Sequence, residues 1–277
     1  MSTSRRMRLA ATVGAAAVVL TATAGCGAAQ DTAKAVGGSD TIAKILARVS
    51  DRTENVGAAQ VTFVTDAGQG SPITMTGTYS WGKGLAYDVM MDTKAAQMQA
   101  LQDAPTLRTL LVDGAYYYNV DPQSAGPLKG KHWMRVDVSA VLGEKGAAAV
   151  EKNGDPTAGL RYIGMSKDAE DLGEESVRGV KAHHYRVSID KDNLGAGVSA
   201  EDKKNLLDSM VGSGGSIDMD IWVDGKDLPV RFIQVMGKVK VTADFLKFYS
   251  RAKTVKAPPA SDTGDLSAQV KAGQSGS

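Results

Sequence analysis

The sequence predicts an α+β fold with an antiparallel sheet. Two observations predict it. Apolar residues alternate with polar ones in several stretches after residue 70, and a few other segments space their apolar residues at three and four positions, as one face of a helix does. Strands with one wet and one dry face are typical of antiparallel sheets, whereas parallel strands covered on both sides have continuous apolar runs.

Composition limits the size and chemistry of the protein. The chain has 277 residues, 43% hydrophobic and 23% charged, which suits one or two ordinary domains. A formal net charge of +1 provides no excess positive potential for a nucleic acid, so DNA and RNA are excluded as expected partners. One cysteine excludes an internal disulfide and a zinc site of several thiolates, and we expect no cofactor and no metal.

Residues 1–25 have the features of a signal peptide. Three arginines, Arg5, Arg6 and Arg8, precede an uncharged apolar run over 9–21. The run is shorter than the roughly 20 apolar residues that a permanent membrane span needs. The sequence therefore predicts export of the chain.

The single cysteine stands directly after this segment. Thr23-Ala24-Gly25-Cys26 resembles a bacterial lipobox, in which the cysteine receives a diacylglyceryl group and becomes the new N-terminus. Thr23 departs from the usual leucine, and the alternative is a small-residue signal peptidase site beside an incidental cysteine. We expect lipid attachment at Cys26.

The mature chain has no electrostatic means of holding an anionic membrane. Cleavage after residue 25 removes three arginines and no acidic residue, which changes the formal net charge from +1 to −2. Acyl chains stabilise anchoring by about 0.8 kcal/mol per buried CH₂. The expected location is therefore the outer face of the cytoplasmic membrane, with the membrane bound through the N-terminal acyl chains.

Composition divides the mature chain into three parts. Residues 26–39 are small, polar and Gly-rich, which favours a flexible tether, and residues 257–277 have a similar composition, which predicts a disordered tail. The domain is expected between them, over residues 40–256.

A helix is expected first in the domain. Ser39 is a suitable N-cap, and Ile42, Ile45, Leu46 and Val49 form one apolar stripe. Further helices are predicted over 138–152 and 199–211, whereas 94–102 is consistent with either a lid helix or a loop.

Strands are predicted from alternation, beginning at Ile73 and at Leu85 on either side of a turn over 81–84. Later alternating stretches are 116–120, 132–138, 185–189 and 217–223, and further strands are expected over 229–236 and 238–249.

Catalytic motifs are weak. No G-x-S-x-G elbow is present, and the three histidines form no obvious triad with a particular serine. His183 and His184 are adjacent in a strand pattern, so they point to opposite faces and cannot grip one metal together. Asp218 and Asp220 share a face, where calcium binding or acid–base chemistry competes with an ordinary solvated strand face. An enzyme is therefore not expected.

One glycine-rich segment matches a nucleotide-binding pattern. Residues 195–200, GAGVSA, fit G-x-G-x-x-A before a predicted helix, but the surrounding strands are not βαβ units. A loop that ends in a helix N-cap explains the same residues.

Several strand phrases carry a family resemblance. They are LVDGAYYY at 111–118, WMRVD at 133–137, VRGVKAHHYRVSID at 177–190 and IDMDIWVDGKDLPVRF at 217–232. They resemble the actinobacterial lipoprotein family that includes LppX, LprA, LprF and LprG, which is similar in fold to LolA and LolB. The resemblance implies a strongly curved sheet, an open half-barrel, with helices on its concave side and an apolar cavity that holds acyl chains.

Combined with the alternation of the strands, the resemblance implies that ligand contacts come from the dry face of the sheet. The expected contacts are Ile73, Met75, Leu85, Tyr87, Val89, Met91, Ile217, Met219 and Ile221. The resulting hypothesis is a non-catalytic lipoprotein that binds or carries acylated lipids or lipoglycans in the cell envelope. The alternative is an envelope sensor or scaffold of the same fold that binds a protein partner, and an envelope hydrolase has no motif to support it.

Overall fold

The structure is a computed structural model. It describes residues 28–153, 168–193 and 215–274, together with Leu160, Ser166, Lys203, Lys204 and Leu207. The chain divides into two compact units, one that ends at Val36 and one that begins at Gly37. The sheet and the candidate site described below belong to the second unit.

Helix α1 covers Ala28–Val56. Its side chains Ile42, Leu46 and Val49 are buried, as the predicted stripe requires, and Gly57 follows with a φ of +72° that suits a helix terminus. The predicted start at Ser39 is wrong, because the helix begins eleven residues earlier. Four alanines in residues 28–35 favour helix more strongly than the adjacent glycines oppose it.

Within the described residues, twelve strands form one sheet with the order β12-β6-β5-β4-β3-β2-β1-β11-β10-β9-β8-β7. Neighbouring strands are antiparallel except β12 and β6, which are parallel. The strands are β1 (Ala58–Asp66), β2 (Ile73–Ser80), β3 (Ala86–Asp92), β4 (Thr106–Val112), β5 (Ala115–Asn119), β6 (Trp133–Asp137), β7 (Asp168–Val177), β8 (Val180–Asp190), β9 (Ser216–Val223), β10 (Pro229–Met236), β11 (Val239–Phe248) and β12 (Thr263–Asp265). The large curved sheet is open, since β7 and β12 lie at its two edges, and the predicted α+β fold is confirmed.

The helices pack on one face of this sheet, which we call the helical face. Helix α1 contacts a core cluster that spans β1–β3 and β7–β11 and includes Val61, Val187 and Met219. A second cluster joins β6 to α2 (Val138–Asn153) and α3 (Ser267–Gln274). The opposite face carries smaller apolar clusters, one of them around Trp222.

Tight turns set the register of two hairpins. Asp113-Gly114 joins β4 to β5 and Arg178-Gly179 joins β7 to β8, and all four residues have positive φ. Two-residue loops with positive φ match the twist of antiparallel strands, which explains the glycine in each pair. The predicted turn over 81–84 is also confirmed, because β2 and β3 pair across it.

Helix α2 agrees with the predicted helix over 138–152 to within one residue at its end. It is interrupted at Gly143, whose φ of 70° and ψ of 171° are not helical. Glycine adopts such a conformation at little cost, so the break falls at the residue that tolerates it best.

The predicted disordered tail at 257–277 is wrong over 260–274. A 3₁₀ turn (Ala260–Asp262), strand β12 and helix α3 follow one another there. Leu266 and Val270 pack against the second cluster, and Arg135 forms ion pairs with Asp265 and Asp137. Average composition predicted disorder because it does not record the few apolar contacts of this segment or the pairing of β12 with β6.

Three other expectations concern loops. Residues 94–102 form turns and not a lid helix, with Met98 and Leu101 packed on the second cluster. The glycine-rich segment at 195–200 lies outside the described residues. The helix predicted over 199–211 also lies largely outside them, although Lys203, Lys204 and Leu207 are helical.

Candidate functional site

A cleft of about 680 Å³ lies at one end of the sheet. Its walls are the β2–β3 turn with the start of β3 (83–86), the β4–β5 turn with the end of β4 (111–114), helix α2 and the segment 252–255. Pockets of about 300–1,000 Å³ are the usual size for small-molecule ligands. The cleft is therefore large enough for one, and its lining residue Leu111 belongs to the helical face.

The lining of the cleft combines apolar and charged side chains. Leu85 and Leu111 contribute the larger apolar side chains. Where α2 borders the cleft, its residues Ala147 and Ala148 have small side chains. Lysines from the sheet side and glutamates from α2 complete the lining: they are Lys83, Lys253, Glu144 and Glu151. Such a lining can accept an apolar chain and leave a polar end among charges of both signs.

The predicted ligand contacts share the helical face. Strand register aligns Met75 with Met91 and places Ile221 opposite Phe232 on the same side of the sheet. The contacts differ in burial, however. Val89, Met91, Ile217, Met219 and Ile221 are buried, whereas Ile73, Met75, Leu85 and Tyr87 are half-buried.

Only Leu85 among these nine residues lines the cleft. Six others belong to or pack against the core cluster under α1, namely Met75, Tyr87, Val89, Ile217, Met219 and Ile221. Alternation along a strand identifies the dry side of a sheet, but it does not tell a residue covered by a helix from one that borders free space. The sequence therefore predicted the face and not the position of the cleft on it.

Among the tyrosines and Thr109 of the helical face, only Tyr87 was predicted from the sequence as a site residue. Tyr79 on β2, Tyr87 on β3, and Tyr116 and Tyr118 on β5 share this face, and Thr109 on β4 lies between Val89 and Tyr118 in register. Tyr79 and Thr109 are 4% and 1% exposed. Their hydroxyl oxygens have no hydrogen-bond partner among the described residues.

Burial keeps these phenols protonated. It raises the pKa of Tyr79 and Tyr116, raises the pKa of Tyr87 well above 10.0, and raises the pKa of Tyr118 to about 12. Leaving a buried hydroxyl unsatisfied costs about 1–3 kcal/mol in general. Two such hydroxyls in one neighbourhood are therefore a feature that the fold alone does not explain.

The two adjacent histidines lie on opposite faces, as predicted. His183 is on the helical face with Nε2 2.6 Å from Asp171 Oδ1. His184 is buried on the opposite face, where its Nδ1 lies 2.9 Å from Glu175 Oε1 and its Nε2 lies 2.8 Å from Asp220 Oδ1. Its ring stacks on Trp222 at 4.1 Å. Both histidines are thus held by carboxylates.

Asp218 and Asp220 share the opposite face, and side chains of β8 donate hydrogen bonds to their carboxylates. Ser188 Oγ donates to Asp218 at 2.7 Å, and Arg186 Nε donates to Asp220 at 3.0 Å. Among the described residues, no group of three or more His, Cys, Asp and Glu side chains is arranged to hold a metal ion. The two aspartates act as partners within the sheet.

The anchor region lies outside the part of the chain that the structure covers. Cys26 and the predicted signal peptide at 1–25 precede the first described residue. Within the described part, no helix is long and apolar enough to span a membrane.

Comparison with known sequences finds actinobacterial relatives. No family model matches the chain. A 31.2 kDa uncharacterised protein from the rplA–rplJ intergenic region of Streptomyces griseus is 28% identical over 245 residues, which cover 82% of this chain and 80% of that protein. The candidate lipoprotein SCO4650 of Streptomyces coelicolor is 24% identical over 297 aligned positions, covering 96% of each chain.

Comparison with solved structures finds two mycobacterial proteins. LprF from Mycobacterium bovis has a TM-score of 0.49 at 12% identity and covers 78% of this chain and 95% of its own. The lipoprotein LppX of Mycobacterium tuberculosis has a TM-score of 0.48 at 14% identity, with 78% and 98% covered. LprF and LppX are both named in the family that the strand phrases resemble.

Proposed function

We propose that the protein is a non-catalytic lipoprotein that binds acylated lipids or lipoglycans on the helical face of its sheet and takes them up through the cleft. It is attached by acyl chains at Cys26 to the outer face of the cytoplasmic membrane. The observation that carries this proposal is the cleft of about 680 Å³ between the sheet and α2. An acyl chain needs apolar surface without directional bonds, since burial stabilises it by about 25 cal/mol per Å².

Three further observations support the proposal. The residues before Cys26 resemble a lipobox, and the relative SCO4650 bears the name of a lipoprotein. The strand phrases resemble a lipoprotein family in which such a cavity holds acyl chains. The apolar residues of the helical face continue from the cleft, because Leu111 lines it and pairs with Tyr87 of the neighbouring strand.

A second function is favoured by one feature of the core. Five of the nine predicted ligand contacts are buried, and four of these five belong to the cluster under α1. A filled core of this kind suits a sensor or scaffold that binds a protein partner and holds no lipid. The two functions differ in whether lipid enters the cleft.

The experiment fills the cleft without disturbing the sheet. Ala148 is exposed on α2 and lines the cleft, whereas Ala268 is exposed on α3 and does not. We expect Ala148→Trp to lower the uptake of a fluorescent diacylglycerol from donor vesicles about tenfold or more, the loss of roughly 1.4 kcal/mol of binding. The matched variant Ala268→Trp should take up lipid as the wild type does. Equal uptake by both variants would contradict entry through the cleft, and no uptake by the wild type would favour the sensor.

A further inference from the structure

Five hydroxyl-bearing side chains lie close together on four adjacent strands of the helical face. We call Tyr79, Tyr87, Thr109, Tyr116 and Tyr118 the hydroxyl row. The rings of Tyr79 and Tyr87 are 5.4 Å apart, and those of Tyr116 and Tyr118 are 6.2 Å apart. Phenylalanine fills an apolar core as well as tyrosine does. Buried tyrosine hydroxyls usually have a hydrogen-bond partner, and apolar side chains cannot supply one.

Two members of the row have hydroxyls that no described residue satisfies. Tyr79 and Thr109 are more than nine-tenths buried, and neither Tyr79 Oη nor Thr109 Oγ1 has a hydrogen-bond partner among the described residues. Buried polar groups in native proteins are nearly always paired. The missing partner is therefore expected to come from a bound molecule.

The side chains around the row indicate that the bound group is uncharged. Side chains aligned with the row on the helical face are apolar, for example Ala59 beside Tyr79, Val89 beside Thr109 and Val136 beside Tyr116. The lysines and glutamates that line the cleft are at its end of the sheet, and no charged residue is aligned in register with Tyr79 or Thr109 on this face. A phosphate or carboxylate would be desolvated here without a counter-charge, which is strongly unfavourable.

The row also adjoins the cleft. Leu111, a cleft residue, pairs with Tyr87 on one side and with Tyr116 on the other. A lipid that enters at the cleft thus passes Leu111 before its chains reach the apolar surface under α1.

We propose that the hydroxyl row binds the uncharged ester oxygens of an acyl lipid, with Tyr79 and Thr109 as hydrogen-bond donors to ester carbonyls. This inference rests on the proposed function and adds to it the polar group that is recognised. A phenol or threonine hydroxyl can donate to a neutral carbonyl, and the ester oxygens are the only carbonyl acceptors of a diacylglycerol.

The test compares an ester with an ether of the same shape. Dioleoylglycerol has two ester carbonyls, and 1,2-di-O-oleylglycerol replaces them with methylene groups. We expect the wild-type protein to bind the ester lipid about tenfold more tightly, the effect of one to two net hydrogen bonds. The double variant Tyr79→Phe/Thr109→Val should bind both lipids equally, measured as displacement of a fluorescent diacylglycerol.

A control and a stability measurement separate the outcomes. Tyr249 lies outside the row, with its hydroxyl 3.4 Å from Thr78 Oγ1, and Tyr249→Phe should keep the ester preference. The double variant should unfold at the same temperature as the wild type or higher, since the lost hydroxyls have no partner among the residues that the structure describes.

Three results would overturn the inference. They are equal binding of ester and ether by the wild type, an ester preference that survives in the double variant, and a lower unfolding temperature, which would show that the hydroxyls are paired inside the fold. Binding of neither lipid would instead overturn the proposed function, and this inference with it.

Discussion

A Cβ atom at Gly77 would lie 2.2 Å from the carbonyl oxygen of Asp88 on the neighbouring strand. Real Cβ atoms essentially never come within 3.0 Å of another heavy atom, so β2 and β3 approach each other here more closely than any other residue allows. Gly77 also lies between Val61 and Val89 in register, on the helical face and next to Tyr79. The glycine therefore sets the distance between β2 and β3 beside Tyr79.

The first prediction follows from this contact. Gly77→Ala should lower the free energy of unfolding by about 1–3 kcal/mol or more, the usual cost of overpacking. Urea unfolding measures it. Gly225 has no heavy atom within 4 Å of its Cβ position and no positive φ, so Gly225→Ala should change stability by less than about 1 kcal/mol. Equal effects of the two substitutions would show that β2 and β3 are not held this close.

The second prediction concerns acid stability. Hydrogen bonds from Trp222 and then His184 hold the pKa of Glu175 below its ordinary value of 4.5. A lowered folded-state pKa stabilises the fold above the unfolded-state value, and that contribution is lost as the pH falls through the folded-state value. Glu175→Gln should therefore lose less stability than the wild type as the pH falls from about 6 to about 3.

The measurement is the urea midpoint across this pH range. Because Glu175 is exposed, solvent screening keeps the effect small. Glu170→Gln on the same strand is the control and should follow the wild type. Identical pH dependence of the wild type and Glu175→Gln would contradict the link between this carboxylate and its two partners.

The third prediction concerns the C-terminal elements. A chain that ends at Pro258 lacks β12 and α3, so it loses the packing of Leu266 and Val270 and the ion pair between Asp265 and Arg135. Full burial of such a side chain stabilises by about 1.5–3 kcal/mol. Leu266 and Val270 are half-buried, so each contributes part of this, and we expect a clear decrease in the urea midpoint. A chain that ends at Gln274 is the control. The same midpoint for both truncations would show that these elements add nothing to the domain.

The fourth prediction concerns the anchor. Cys26→Ser should move the protein from the membrane fraction to the soluble fraction, because the mature chain has no excess positive charge that would hold an anionic surface. Fractionation followed by immunodetection measures the shift. Thr32→Ala, a change outside the lipobox, should leave the protein in the membrane fraction. Retention of Cys26→Ser equal to the wild type would defeat the proposed attachment.

Much of the fold could be predicted from local pattern. The alternation at 217–223 and the apolar stripe of Ile42, Leu46 and Val49 each correspond to an element of the structure. The ordered segment 260–274 was missed because β12 is only three residues long and pairs with a strand about 130 positions earlier. No local pattern records such a partner.

The site was harder to predict than the fold. The dry face could be identified from alternation, but the cleft depends on where α2 lies over that face, which strand patterns do not contain. Thr109 lies between Val89 and Tyr118 in register, and only the structure shows that its hydroxyl is buried without a partner among the described residues.

The central claim is that an acyl lipid occupies the helical face, and native mass spectrometry of the Cys26→Ser protein tests it most directly. The protein should be purified without detergent from the soluble fraction, where this variant is expected. We predict a protein-lipid complex of one-to-one stoichiometry, whose extracted lipid contains ester-linked acyl chains and whose abundance falls in the additional presence of Ala148→Trp. A single mass equal to the bare polypeptide, together with no lipid in the extract, would contradict the account and favour the protein-binding scaffold.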